Sequence, residues 1–178
     1  DKSYYKNLEK VPCDCICVSG NWTPTVHLSS QSGNKLKFDE KIDAFIPDRS
    51  RQSETTIGAA NGSFTLKKSL EDGFNKGYEL SNKITQKNIK TATPTSNERS
   101  YSQHDKFWCM PLPKNKYYKR FVDFQNDVAV SDVELAVREG FRSIEHVKRY
   151  TTLGMATDQG KTSNLNGLQL VSNIQEKI

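Results

Sequence analysis

Apolar positions follow three different rhythms along the chain. Near the start, Cys15-Ile16-Cys17-Val18 is a short apolar run entered through Pro12 and closed by Ser19-Gly20, which predicts a buried strand ending in a tight turn. Trp22-Thr23-Pro24 opens a loop, and the mixed stretch 26–46 offers a short strand around 35–38. A second apolar stretch, 55–60, runs into Gly58-Ala59-Ala60-Asn61-Gly62, after which Leu66, Leu70, Phe74 and Tyr78 recur at helical spacing. The prediction there is a strand, a glycine turn and a helix.

From residue 131 the period is helical. Ser131 and Glu134 form an S-x-x-E capping box ahead of Val133, Leu135, Ala136 and Val137, and Gly140 is placed to end that helix. Ser143 caps a second helix carrying Ile144, Val147 and Tyr150 and ending near Gly154; a third starts around Ser163 with Leu165, Leu168, Val171 and Ile174 as its stripe. Three short helices predict a small all-helical unit.

Composition argues against one large core. The 178 residues are 34% hydrophobic with a mean hydropathy of −0.74, which suits small structured units joined by a polar connector. No run of about 18 apolar residues occurs, so no membrane span is expected. The opening Asp1-Lys2-Ser3-Tyr4-Tyr5 has neither an initiator Met nor a signal pattern, and it reads as a cut made inside a longer chain.

The net charge of +5 is concentrated. Residues 86–120 hold Lys87, Lys90, Arg99, Lys106, Lys114, Lys116, Lys119 and Arg120 against Glu98 and Asp105, an excess larger than the net charge of the whole chain. No helix-turn-helix, zinc finger or RNA-binding signature accompanies this connector, so it reads as solvated and no nucleic-acid partner is expected. Pro94, Pro111 and Pro113 stiffen it, and Trp108, Met110 and Leu112 predict that its second half lies against a folded partner surface.

Candidate chemistry is sparse. Cys13, Cys15 and Cys17 share one face of an extended chain, but neighbours two apart suit neither a disulfide nor zinc, and Cys109 supplies no second pair. They read as small apolar residues on a buried strand face in a reduced, cytoplasmic protein. His27, His104 and His146 are scattered with no carboxylate pattern that nominates a triad or metal site. The turn at 58–62 has the form that brings backbone N–H groups to a phosphate at a helix N-terminus, although such turns also occur without any ligand. The cations, hydroxyls and glycine of Lys148-Arg149-Tyr150-Thr151-Thr152 and Gly160-Lys161-Thr162 suit an anionic phosphate or serve simply as helix caps.

Two stretches resemble one family closely. Residues 13–28, with Cys13-Asp14 and Val18-Ser19-Gly20-Asn21-Trp22-Thr23-Pro24-Thr25-Val26-His27-Leu28, and then Gln31-Ser32-Gly33, resemble a passage near the end of the nucleotide-binding domain in the alpha subunit of heterotetrameric sarcosine oxidase. Phe121-Val122-Asp123-Phe124-Gln125-Asn126-Asp127-Val128, Ala136 to Ser143, Glu145 to Thr152 and Gly154 to Asn164 resemble its helical linker almost continuously.

That resemblance implies an α+β chain in three parts. Residues 1–85 would be the C-terminal part of a dinucleotide-binding α/β domain, 86–120 a basic linker, and 121–178 a small helical domain leading toward an aminomethyltransferase-like region. The family implies NAD in the front half, with Gly58 and Gly62 shaping the turn and Ala59, Phe64 and Leu66 near the dinucleotide. No acid stands beside Gly58 to bind a flavin ribityl group. It also implies FMN at an interface with another subunit, lined by Thr151, Thr152, Lys161 and Thr162, with FAD and folate elsewhere in the complex. The partners would be beta, gamma and delta subunits, and the reaction the oxidative demethylation of sarcosine, for which this chain alone would be inactive.

The linker also resembles a small ferredoxin-related domain that holds a two-iron cluster. Its ligand positions fall here on Asp123, Gln125, Asp158 and Ser163, none a thiolate, so a cluster-less scaffold is expected, helical and free of strands from 121 to 164. A related amine or proline dehydrogenase subunit, or a non-catalytic docking module, are the competing readings.

Overall fold

The computed structural model describes residues 11–17, 22–86, 92–97, 108–110, 112 and 117–176. The chain divides into two compact units, one formed by residues 15–104 and the other by 1–14 with 105–178. Both strands and helices are present, as an α+β chain requires.

In the 15–104 unit, a short helix α1 (His27–Gln31) leads into an antiparallel hairpin of β1 (Lys35–Asp39) and β2 (Ala44–Arg49). Phe38 pairs with Phe45 across it, rings edge-on at 5.3 Å. Asp39 Oδ1 accepts from Lys41 N–H at 2.8 Å, and Asp43 takes φ +48°, which together close the turn. Pro47 is tolerated because a two-stranded sheet consists only of edges. Buried Asn34 ties the unit together: its amide donates to Ser29 Oγ at 2.9 Å and to Glu54, and its carbonyl accepts from Arg51 N–H at 2.7 Å.

The expected strand before the glycine turn is absent. Residues 54–57 are irregular, and Gly58–Asn61 form a single 3-10 turn that leads to α2 (Leu66–Thr85). Thr65 is its N-cap, Oγ1 accepting from Lys68 N–H at 3.2 Å. The buried strand expected near the start is also corrected. Residues 11–17 are irregular and exposed, with Cys13, Cys15 and Cys17 all exposed, while 18–20 lie outside the described residues. A strand needs a neighbour to satisfy its backbone, and among the described residues none pairs with this run.

In the other unit, β3 (Phe121–Asp123) and β4 (Val128–Ala129) make a small antiparallel hairpin ahead of α3 (Val130–Arg138), α4 (Ile144–Thr151) and α5 (Asn164–Ile174). The hairpin corrects the expectation of a purely helical region: the turn 124–127, closed by Asp127 at φ +56°, folds Val128 back beside Asp123. Val122, Val128, Val130, Val133, Ala136, Val147, Leu153, Leu170 and Val171 form the core, with Phe141, Ile144, Ile174 and Cys109 packed against it. Leu153 sits directly on Gly167, where any Cβ would overlap it.

Helix ends follow the sequence at Gly140 and depart from it in detail at the start of α3 and at both ends of α4. Gly140, φ +97°, ends α3 as predicted, with Gly140 N–H donating to Val137 O at 3.0 Å and Phe141 N–H to Ala136 O at 3.1 Å. The start of α3 differs: Ser131 is already helical, and Asp132 instead accepts from Ala129 N–H at 2.8 Å. α4 stops at Thr151, with Thr152 in the left-handed region at φ +63°, before Gly154 is reached. Ser143 is the N-cap of α4 through its carbonyl, which accepts from His146 and Val147 N–H at 3.0 Å, and not through its hydroxyl. No helix among the described residues is long and apolar enough to cross a membrane.

Candidate functional site

The turn at 58–62 owes its shape to two left-handed glycines, Gly58 at φ +65° and Gly62 at φ +82°. A Cβ on Gly62 would press on Ile42 Cδ1 at 2.8 Å, so the hairpin side chains reinforce the requirement for glycine. Ser63 N–H donates to Gly58 O at 3.0 Å, closing the turn, and Ser63 Oγ donates to Asp72 at 2.6 Å. That hydroxyl and the neighbouring Lys68, 3.0 Å from Asp72, hold the Asp72 carboxyl below the ordinary carboxylate range. The turn therefore leads directly into the positive end of α2. Ala59, Phe64 and Leu66 are exposed around it.

The second unit contains a polar knot among apolar residues. Asp123 is 2% exposed, and its carboxylate accepts from Gly154 N–H at 2.8 Å, Gln125 N–H at 3.0 Å, and Asn126 N–H and Ser163 Oγ at 3.4 Å. A buried charge is tolerated when it is hydrogen-bonded on every side, as here. Asn126 Nδ2 extends the knot to Thr152 O at 2.8 Å, and Thr157 Oγ1 donates to Gln125 Oε1 at 2.6 Å. Asp158 accepts from Thr162 Oγ1 at 2.6 Å, Thr162 N–H at 3.1 Å and Gly160 N–H at 3.0 Å. These bonds, Thr162's hydroxyl first and Gln125 last, hold its carboxyl below the usual range. Gly154 and Gly160 are both left-handed, and a Cβ on either would overlap the Asn164 side chain.

The four positions at which the ferredoxin resemblance expects cluster ligands lie together. Asp123 bonds to Ser163, and Gln125 interacts with Asp158. Carboxylate, amide and hydroxyl groups occupy them, and these donors do not fit an iron-sulfur cluster, which needs thiolates. Among the described residues no group of three or more His, Cys, Asp or Glu is arranged to hold a metal ion.

The hydroxyls expected to line a flavin phosphate are engaged. Thr151 Oγ1 donates to Val147 O at 2.7 Å, Thr152 Oγ1 to Thr151 O at 2.6 Å, and Thr162 Oγ1 to Asp158. The first two stand at the negative end of α4, which does not favour an anion. Lys161 is exposed and forms no ion pair among the described residues. Sequence reasoning missed the central part of Asp123, although an acid flanked by apolar residues in Phe121-Val122-Asp123-Phe124 was the available signal of a buried carboxylate.

Known proteins place this unit. The family described as the sarcosine oxidase A3 domain matches residues 117–178, which include the hairpin, the knot and all three helices. The chain is 33% identical over 165 residues to the sarcosine oxidase subunit alpha of Rhizobium meliloti (strain 1021), and 32% identical over 173 residues to that of Corynebacterium sp. (strain P-1). Each alignment covers 92% of this chain. The chain belongs to the sarcosine oxidase alpha-subunit family. It spans 16% and 17% of the length of those two relatives. The similarity runs through both units, so the exposed turn at 58–62 and the polar knot both belong to segments with counterparts in sarcosine oxidase alpha subunits.

Proposed function

We propose that this chain forms part of the alpha subunit of a cytoplasmic sarcosine oxidase, an assembly that oxidatively demethylates sarcosine to glycine and passes the one-carbon unit to folate. The observation that carries this reading is the continuity of the similarity, 32–33% identity over 92% of the chain. Residues 1–85 then end a dinucleotide-binding domain, 86–120 link it onward, and 121–178 form a ferredoxin-like scaffold without its cluster, leading toward an aminomethyltransferase-like region. Partner beta, gamma and delta subunits complete the enzyme, with FAD and folate bound in parts outside this chain.

The turn at 58–62 fits NAD, which when bound supplies a nicotinamide ring able to take up a hydride. Gly58 and Gly62 let the backbone approach a pyrophosphate at the N-terminus of α2, and Ala59 leaves that approach free of a competing negative charge. Phe64 and Leu66 offer exposed apolar surface to a ring. For FMN at a subunit boundary the fit rests on Lys161, whose ammonium is available to a phosphate, while Thr151, Thr152 and Thr162 shape the turns that present it.

The intact complex tests both assignments. Ala59→Glu places a negative charge where the pyrophosphate would lie and is expected to weaken NAD binding by about tenfold or more, with sarcosine turnover retained. Lys161→Ala is expected to lower FMN content and electron transfer, and unchanged values would remove the FMN assignment. This chain alone should show no sarcosine oxidation; measurable turnover would overturn the reading of it as one part of the enzyme.

A further inference from the structure

α2 displays an apolar face that is open along most of its length among the described residues, with Ile57 beside Gly73, and none of the helix's residues is buried. Leu66, Leu70, Gly73, Gly77, Leu80 and Ile84 follow alternating four- and three-residue steps, which at 3.6 residues per turn confines them to an arc of about 80°. Leu66, Leu80 and Ile84 are 56%, 46% and 82% exposed. The opposite side is charged and closed on itself: Lys68 pairs with Asp72 at 3.0 Å, and Glu79 with both Lys76 and Lys83 at 2.7 Å. The helix therefore offers an apolar strip with a narrow waist at two glycines.

Nothing local explains that waist. Interior glycines weaken a helix relative to alanine, and neither Gly73 nor Gly77 has a positive φ that would require one. A Cβ on Gly77 would meet nothing within 4 Å, and one on Gly73 would reach only Ile57 Cδ1 at 3.9 Å. The two glycines leave room for a surface approaching from outside, because glycine lets a second backbone come closer than any side chain would.

We propose that the strip is the docking groove for an apolar helix supplied by another part of the same subunit, crossing α2 at Gly73 and Gly77. The chain spans only 16–17% of the length of its sarcosine oxidase relatives, so most of such a subunit lies beyond these residues and can furnish the partner. A charged partner would find the ionic side of α2 already neutralised. A second copy of α2 is a poorer occupant, since two glycines at the centre of the seam remove the knobs that a paired coil needs. The proposal rests on the chain being part of a longer subunit, and does not depend on NAD or FMN.

Gly77→Leu in the intact subunit and in the 178-residue chain, with Asn75→Leu as a control half a turn away, separates the cases. In the 178-residue chain Gly77→Leu has open space and better helix propensity, so its helical signal should hold or rise. In the intact subunit the same leucine overfills the groove, with an expected loss of about tenfold in the docked population, read as faster amide exchange along 66–85. Asn75→Leu should change neither. Equal tolerance of both substitutions in the intact subunit, with α2 exchanging as fast there as in the shorter chain, would overturn the proposal. So would a concentration-dependent dimer of the 178-residue chain that Gly77→Leu disperses while the intact subunit is unaffected. Loss of NAD binding in Ala59→Glu would leave it standing.

Discussion

Asp123→Ala removes the acceptor on which the polar knot is centred. The Gly154 N–H that donates to it at 2.8 Å is buried, so water cannot replace the lost carboxylate, and an unsatisfied buried donor costs about 1–3 kcal/mol. Gln125 N–H, at 3.0 Å, and Asn126 N–H, at 3.4 Å, are only partly buried and can turn to solvent, adding about 0.5 kcal/mol each. The Ser163 hydroxyl, at 3.4 Å, adds little because it is long and can rotate. The sum, about 2–4 kcal/mol, is a large share of the 5–15 kcal/mol that holds a typical domain together. Asp123→Asn keeps one carbonyl oxygen, which can serve Gly154 or the Gln125 and Asn126 pair but not both, so roughly half that loss is expected. Urea unfolding followed by amide exchange over residues 117–176 reads both variants separately from the rest of the chain. The reasoning fails if Asp123→Ala shifts stability by less than about 0.5 kcal/mol and leaves the Gly154 amide protected.

Asp158 has a lowered folded pKa, so its contribution is present above the ordinary carboxylate value of 3.8 and is lost as pH falls through the depressed one. Thr162→Val, which removes the largest cause, should move the Asp158 carboxyl resonance in a pH titration back toward the ordinary value; an unmoved titration would contradict the assignment. Gly160→Ala combines a left-handed backbone with overlap on Asn164 and should destabilise the helical unit by more than about 1 kcal/mol in urea unfolding, whereas Gly140→Ala, equally left-handed but in open space, should cost less.

Helices were the most legible part of the sequence, because the stripes of α2, α3, α4 and α5 depend on spacing within one segment. The Lys35–Asp39 strand was visible for the same reason, while its partner Ala44–Arg49 was hidden by Pro47 and by a face half exposed to water. The run through Cys15 and Cys17 has the composition of a buried strand, yet burial depends on a neighbour that a local pattern cannot specify. The same limit explains the start of α3. Ser131 and Glu134 have the right spacing for a capping box, but folding of the 121–129 hairpin begins the helix two residues earlier and hands the task to Asp132. At the candidate sites, the turn glycines were readable individually. The engagement of Thr151, Thr152 and Thr162 by carbonyls and a carboxylate was not, since it depends on which way each hydroxyl turns. Within 121–164, where the resemblance implies no strands, a two-residue pairing opposite Phe121 and Asp123 coexists with family membership.

The tie from Asp123 to Gly154 and Ser163 joins residues 31 and 40 positions apart using only atoms that the polypeptide carries itself. Such a fastening has no oxidation state and no detachable component. It can close as soon as synthesis delivers the residues, without an insertion pathway, and chelators or peroxide reaching it would find nothing inorganic to strip away.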